Sequence, residues 1–143
     1  MSIRIIPISE VLQKLRQCLP LLKPIFESSN DDINYPALKH LLLYGKAKLI
    51  VGTEGHNLTC MAVINPGRTP AGTRIMYIPV ISGVGISSYM NAFFSLVTDE
   101  AIANGCTELR GQITDDMWLR VLKKYGWTKH HTVISCPVNQ VQK

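Results

Sequence analysis

The chain has 143 residues, of which 46% are hydrophobic and 17% charged, with a formal net charge of +5. This length predicts one domain, 1–143, with a real core, and the composition excludes a disordered chain. No apolar run reaches the roughly 18 residues of a membrane span, and the opening MSIRIIPISEV is too short an apolar stretch for a secretory signal, so the chain reads as soluble, intracellular and cytoplasmic.

Ile3–Ile8 reads as a short strand. From Ser9, the apolar residues Val11, Leu12, Leu15, Cys18, Leu19 and Leu22 recur at helical spacing. Pro20 and Pro24 break that pattern near Leu19, because proline removes a donor and crowds the preceding turn. Ser28–Asp32 reads as a loop, followed by a helix over Tyr35–Tyr44 that Gly45 stops. Lys48–Thr53 and Leu58–Ile64 are β-rich runs joined by the turn signal Glu54-Gly-His-Asn57. Asn65–Thr73, with two prolines and two glycines, reads as a long loop before a strand over Arg74–Ile81.

That strand runs into IPVISGVGISSYMNAFF, residues 78–94, in which Gly83 and Gly85 separate an apolar strand from an amphipathic helix. Tyr89, Met90, Phe93, Phe94, Val97, Ala101 and Ile102 form the helix stripe. Ser87 or Ser88 caps its start and Gly105 ends it. A strand follows over Glu108–Ile113. Thr114 caps a further helix with Asp115 and Asp116 in its first turn and Lys123 and Lys124 in its last, both suited to the helix dipole. Its stripe is Met117, Trp118, Val121, Leu122 and Tyr125, with Tyr125 expected in the core. Lys129–Val138 reads as a last strand.

The resulting order, β-α-α-β-β-β-α-β-α-β, predicts an α/β (α+β) domain: a mixed, mostly antiparallel sheet with helices on both faces. The four cysteines, Cys18, Cys60, Cys106 and Cys136, lie thirty or more residues apart without a CxxC pair. They read as reduced core thiols rather than zinc ligands. The positive charge favours an anionic partner. The basic run Arg120, Lys123, Lys124 and Lys129 reads first as a solvated helix face and second as a phosphate contact. Nucleic acid is not the expected partner, since aromatic residues are not interleaved with basic ones.

Several segments resemble the GCN5-related N-acetyltransferase (GNAT) superfamily. RIIPISEVLQKL is similar to its first strand and helix, and LIVGTEG with HNLTCMAVI to its central hairpin. GCTELRGQI with MWLRVLKKYGWTKHHTVI is similar to its closing strand, helix and strand. Small acetyltransferase-like proteins of tailed phages are similar in size and character. In the family, a loop of the type R/Q-x-x-G-x-G/A holds the pyrophosphate of acetyl-CoA at a helix N-terminus, where backbone N–H groups and the dipole favour anions. The resemblance puts Gly83 and Gly85 on the glycine positions. It implies amides from Val84, Gly85, Ile86 and Ser87, a hydroxyl from Ser87 or Ser88, and the backbone of Ile78 and Val80 receiving the pantetheine arm.

The sequence departs from that pattern in several places. Val80 stands at the family's arginine or glutamine, and the loop is several residues shorter. Leu122 stands where many members carry a proton-donating tyrosine, and Asp115 stands at the family's asparagine. Tyr77, on the fourth strand, is the catalytic candidate, facing either core or cleft. Glu54 and His56 read as turn residues, and His130 and His131 point to opposite faces of the last strand. The resemblance implies acetyl transfer from acetyl-CoA to a small-molecule or protein amine. The departures favour a second expectation: a GNAT-fold protein without catalysis, a virion component or assembly protein that binds a partner or a second copy of itself.

Overall fold

The computed structural model describes residues 2–28, 33–83, 88–112, 116–130, 134 and 136–138. The chain divides into two compact units, Met1–Gln112 and Ile113–Lys143. The first unit holds strand β1 (Ser2–Ile5), helices α1 (Ile8–Gln17), α2 (Leu19–Ser28) and α3 (Tyr35–Leu43), and strands β2 (Lys48–Glu54), β3 (Asn57–Arg68) and β4 (Arg74–Gly83). Helix α4 (Met90–Ala103) and strand β5 (Glu108–Gly111) complete it. The strands form one sheet in the order β1-β2-β3-β4-β5. The first three pairings are antiparallel and β4–β5 is parallel.

Alternation along the strands sends two apolar sets to opposite faces. On one face Leu49, Val51, Met61, Val63 and Val80 pack with Val11, Leu15, Cys18, Leu22, Leu38 and Leu42 of the first three helices. The other face carries Ile50, Cys60 and Ala62, packed with Tyr89 and Phe93, where α4 contacts β1 and β5.

Local chemistry explains most of the boundaries. Asn34 caps α3, its Oδ1 accepting from the Ala37 N–H at 2.9 Å. The expected break falls at Cys18 between α1 and α2, which leaves Pro20 in the first turn of α2, where its missing N–H is harmless. Pro24, however, lies inside α2, contrary to expectation. Pro24 and Pro20, whose carbonyl it would have paired with, are both exposed residues.

Two expectations shift. Asn65–Arg68 belongs to β3 rather than to a loop. β2 begins at Lys48 opposite Ile64, so beyond that point β3 pairs only with β4 and Pro66 costs no ladder bond. Helix α4 begins at Met90, later than its expected start at Ile86, with Tyr89 at the N-cap and no side-chain cap bond among the described residues.

The second unit contains helix α5 (Asp116–Lys123), ended by Gly126 at φ 88°. Arg120 and Lys123 fall in its last turn, and both are exposed, as are Lys124, Lys129 and His130. Tyr125 is 41% exposed rather than in the core; it lies past Lys123, the last residue of the helix. The described residues of Lys129–Val138 form no strand. Residues 131–133 and 135 of that expected strand lie outside the described residues. Thr114, Asp115 and His131 lie outside the described residues.

Of the cysteines, Cys18 and Cys60 are buried as expected, whereas Cys106 is partly exposed and Cys136 exposed. Cys106 follows the Gly105 turn and Cys136 precedes Pro137, neither on a core-facing element. Among the described residues no helix is long and apolar enough to cross a membrane.

Candidate functional site

The sheet comes apart between β4 and β5. Their parallel ladder runs from Ile75↔Glu108 to Ile78↔Gly111 and stops there. β4 continues alone, with β3 on its other side, to Gly83. The cause is local: Val63 pairs with Val80 and Asn65 with Tyr77, so two residues of β4, Ile78 and Pro79, face the single Ile64 of β3. Such a bulge bends and twists the strand that carries the extra residue. Pro79, which has no N–H to place in a ladder, sits at the bulge, where a proline is tolerated.

Beyond the bulge, β4 offers an extended backbone edge that no strand among the described residues occupies. The Ile78 carbonyl oxygen is turned toward Gly111, 3.4 Å from where a Cβ would stand there. Ile78 therefore forms the last rung of the ladder, and the free edge starts after it.

The expected cofactor residues are distributed around this opening. Val84, Gly85, Ile86 and Ser87 lie outside the described residues. Ser88, the first described residue after them, is exposed and leads through Tyr89 into α4. Val80 is 2% exposed and packs in the core beside Leu22, so the side chain at the family's basic position is occupied with packing. The Ser82 hydroxyl donates to the Leu21 carbonyl at 2.8 Å, tying the end of β4 to α2.

Gly83 is required by β3. A Cβ on it would stand 2.6 Å from Cys60 Cα and 2.7 Å from the Thr59 carbonyl oxygen, and would overlap Cys60 Cβ. Gly52, which pairs with Cys60 from the other side, is held free of a side chain by Cys60 Sγ and has the Tyr89 ring 3.5 Å away. Tyr89 is anchored in turn: the Thr59 hydroxyl donates to Tyr89 Oη at 2.9 Å and lies 3.3 Å from the Gly52 carbonyl oxygen. The start of α4 is thus fixed to the sheet beside the opening. Burial pushes the Cys60 thiol up, only partly offset by its bonds to Thr59 and Gly52.

Tyr77 is 40% exposed, so it faces outward and not into the core. Its ring lies across Gly67 of β3, within 3.4 Å of where a Cβ would sit. In the ladder it pairs with Arg110. Arg110 Nε donates to Glu108 Oε1 at 2.9 Å and Nη2 lies 3.4 Å from Oε2. This bond first, and then the charge of Glu108 and the nearby Tyr77, holds the guanidinium above its ordinary pKa. Sequence reasoning did not single out Arg110 or Glu108; their i, i+2 spacing on a strand beside the glycine turn is the signal that was available.

Elsewhere, Glu54 and His56 are exposed at the β2–β3 turn. A cavity of about 60 Å³ beside the Lys48–Glu100 ion pair is too small for a cofactor. Among the described residues no group of three His, Cys, Asp or Glu side chains is placed to hold a metal.

No protein-family model matches the sequence, and no curated protein matches it significantly. Solved structures do. A predicted acetyltransferase of Clostridium acetobutylicum, solved with acetyl-CoA, superposes with a TM-score of 0.71 at 13% identity, covering 99% of each chain. An aminoglycoside N-acetyltransferase in complex with CoA gives 0.72 at 12% identity, covering 95% of this chain and 98% of its own. A ribosomal-protein-alanine N-acetyltransferase from Brucella melitensis biovar Abortus gives 0.67 at 12% identity, covering 96% and 99%. At such identities the likeness establishes architecture, and with the strand order and the opening beside β4 it shows that this chain has the GNAT fold.

Proposed function

We propose that this chain is an acetyl-CoA-dependent N-acetyltransferase. The observation that carries the reading is the opening of the sheet after Ile78↔Gly111, which leaves the β4 edge from Pro79 to Gly83 unpaired among the described strands. An extended, amide-bearing pantetheine arm fits such an edge, because it can take backbone hydrogen bonds as an added strand would. Two neighbours of the same fold were solved with acetyl-CoA or CoA, which supports the same class of ligand here.

Acetyl-CoA, when bound, would supply an acetyl thioester: the acceptor nitrogen would bond the acetyl carbon as the carbon–sulfur bond breaks, and CoA would leave as a thiolate that takes up a proton while the nitrogen gives one up. The protein's part is positioning, which alone can supply much of the rate of such a transfer. The backbone of Val80 and its neighbours on β4 aligns the arm. The backbone amides of Val84 to Ser87, with the hydroxyl of Ser87 or Ser88, receive the pyrophosphate ahead of α4. Tyr77, exposed beside the last rungs of the ladder, is the candidate to handle the amine proton.

Calorimetric titration with acetyl-CoA and CoA tests the reading. Micromolar binding, about −8 kcal/mol, is expected, and it is expected to vanish in Gly85→Glu while the fold persists by circular dichroism. No heat at millimolar ligand overturns it. A binding protein without catalysis then becomes the reading. Its supporting observation is Gly83, whose missing side chain is already explained by contact with Cys60 and Thr59.

A further inference from the structure

Two separate contacts converge on one dipeptide of β3. Gly83, the last residue of β4, pairs with Cys60. It lies so close that a Cβ there would stand 2.6 Å from Cys60 Cα and 2.7 Å from the Thr59 carbonyl oxygen. Residues 84–88 separate Gly83 from Tyr89. Tyr89 is 3% exposed, and its Oη receives the Thr59 hydroxyl at 2.9 Å. Its ring lies 3.5 Å from where a Cβ of Gly52 would stand, a spot that Cys60 Sγ also crowds. The cavity beside the ring measures about 10 Å³, room for no more than one water. Tyr89 in turn starts α4: its carbonyl oxygen accepts the Phe93 N–H at 2.8 Å, and α4 has no side-chain cap bond among the described residues. The end of β4 and the start of α4 are thus both seated on Thr59 and Cys60.

We propose that Thr59 is a positioning residue for the cofactor: through its hydrogen bond to Tyr89 it holds the start of α4 against the end of β4, and so sets the affinity for CoA. This rests on the acetyl-CoA reading, which gives the residues between those two points to the pyrophosphate. Backbone N–H groups hold an anion well only if they are already aimed at it, since ordering them on binding costs conformational entropy. A short segment fixed at both ends has less of that freedom to lose. The Gly83 end is held by backbone packing against β3. The Tyr89 end is held by a hydroxyl pair, and among the described residues Thr59 is the hydrogen-bond partner of Tyr89 Oη. The second clamp is therefore the one a single atom controls. Thr59 lies on β3, on the far side of β4 from the free edge, so it acts through Tyr89 rather than on the ligand.

Calorimetric titration of the full chain with CoA tests this, at a temperature where circular dichroism shows every variant folded, so that lost stability cannot lower the apparent affinity. Thr59→Val keeps the side-chain shape and removes the hydroxyl. Its Kd for CoA is expected to rise about 5- to 30-fold, the ordering cost of a single backbone residue. Tyr89→Phe is expected to match it, and the double variant to lose no more than either alone, because both changes break one bond. Thr59→Ser, which keeps the hydroxyl, is expected to bind like the parent. Asn34→Ala is the control for stability: it removes the α3 cap, a destabilisation of similar size, and should leave Kd unaltered. An unchanged Kd in Thr59→Val and Tyr89→Phe overturns the inference, and so does an equal loss in Asn34→Ala or losses that add in the double variant. Should Thr59→Val fail to fold, Tyr89→Phe and Thr59→Ser decide it. A parent protein that binds CoA while these variants bind equally well overturns this inference alone. A parent that binds no CoA overturns the reading beneath it as well.

Discussion

β4 has two neighbours and treats them oppositely. Toward β3 it is drawn in so closely at Gly83 that a single methyl group would strike the backbone of Cys60 and Thr59. Toward β5 it lets go after four rungs. The bulge at Ile78–Pro79 separates the two regimes: it keeps pairing with β3 while turning the strand away from β5. An opening in a sheet must have one rigid wall if it is to hold a ligand in a fixed geometry. Here the tight β3 side is that wall, and the anchored Tyr89 extends it to the start of α4.

The contrast can be broken by substitution. Gly83→Ala pushes a Cβ into backbone that cannot yield, and a loss of about 2–3 kcal/mol is expected, read by urea denaturation. A neutral result would mean that the wall is soft. Next in size is a pH effect on the buried thiols. Burial pushes Cys18 up to about 12 from 9.0, and Cys60 is raised too.

Below pH 8 both thiols are protonated in the folded and unfolded states, and nothing is lost. Above about 9 the unfolded chain releases a proton that the native chain keeps. Stability should therefore fall by up to about 1.4 kcal/mol per pH unit for each thiol, toward pH 12 for Cys18. Cys18→Ala, compared with the parent at pH 8 and 10, should flatten that slope; an unchanged slope would show that Cys18 is not the source.

Tyr89→Phe removes the acceptor of the Thr59 hydroxyl, and a loss of about 1 kcal/mol is expected, smaller than for Gly83→Ala. The smallest effect belongs to the open side. Gly111→Ala would place its Cβ at ordinary contact distance, 3.4 Å from the Ile78 carbonyl oxygen. Stability should change by no more than about 0.5 kcal/mol, with a gain as plausible physically as a loss. A large loss there would contradict an open junction.

Much of this could be read from the residues. The helix and strand periods placed α1, α3, β2 and α5 within a few residues, and IPVISGVGISSYMNAFF marked the strand that borders the opening. The bulge was hidden because Pro79 inside an apolar run looks like a strand residue, and only pairing with β3 shows which register it breaks. The length of β3 was missed for a related reason. Pro66 and Gly67 look like loop residues until it is known that β2 has already ended beside them. Arg110 and Glu108 went unnoticed because their meaning lies in parallel pairing with Tyr77, thirty-three residues away. Val80 was read as a missing ligand; its burial against Leu22 shows the core taking the position instead.

The bulge has a further consequence. A strand edge with free N–H and C=O groups is a template for any other extended chain, and neighbouring molecules that add to it seed aggregation. The twist of the bulge at Ile78–Pro79 spoils the flat register a long partner strand needs. A short, flexible ligand can bond the edge groups one by one, whereas a second protein strand would have to follow the bend. The bulge that opens the sheet thus also filters what may close it.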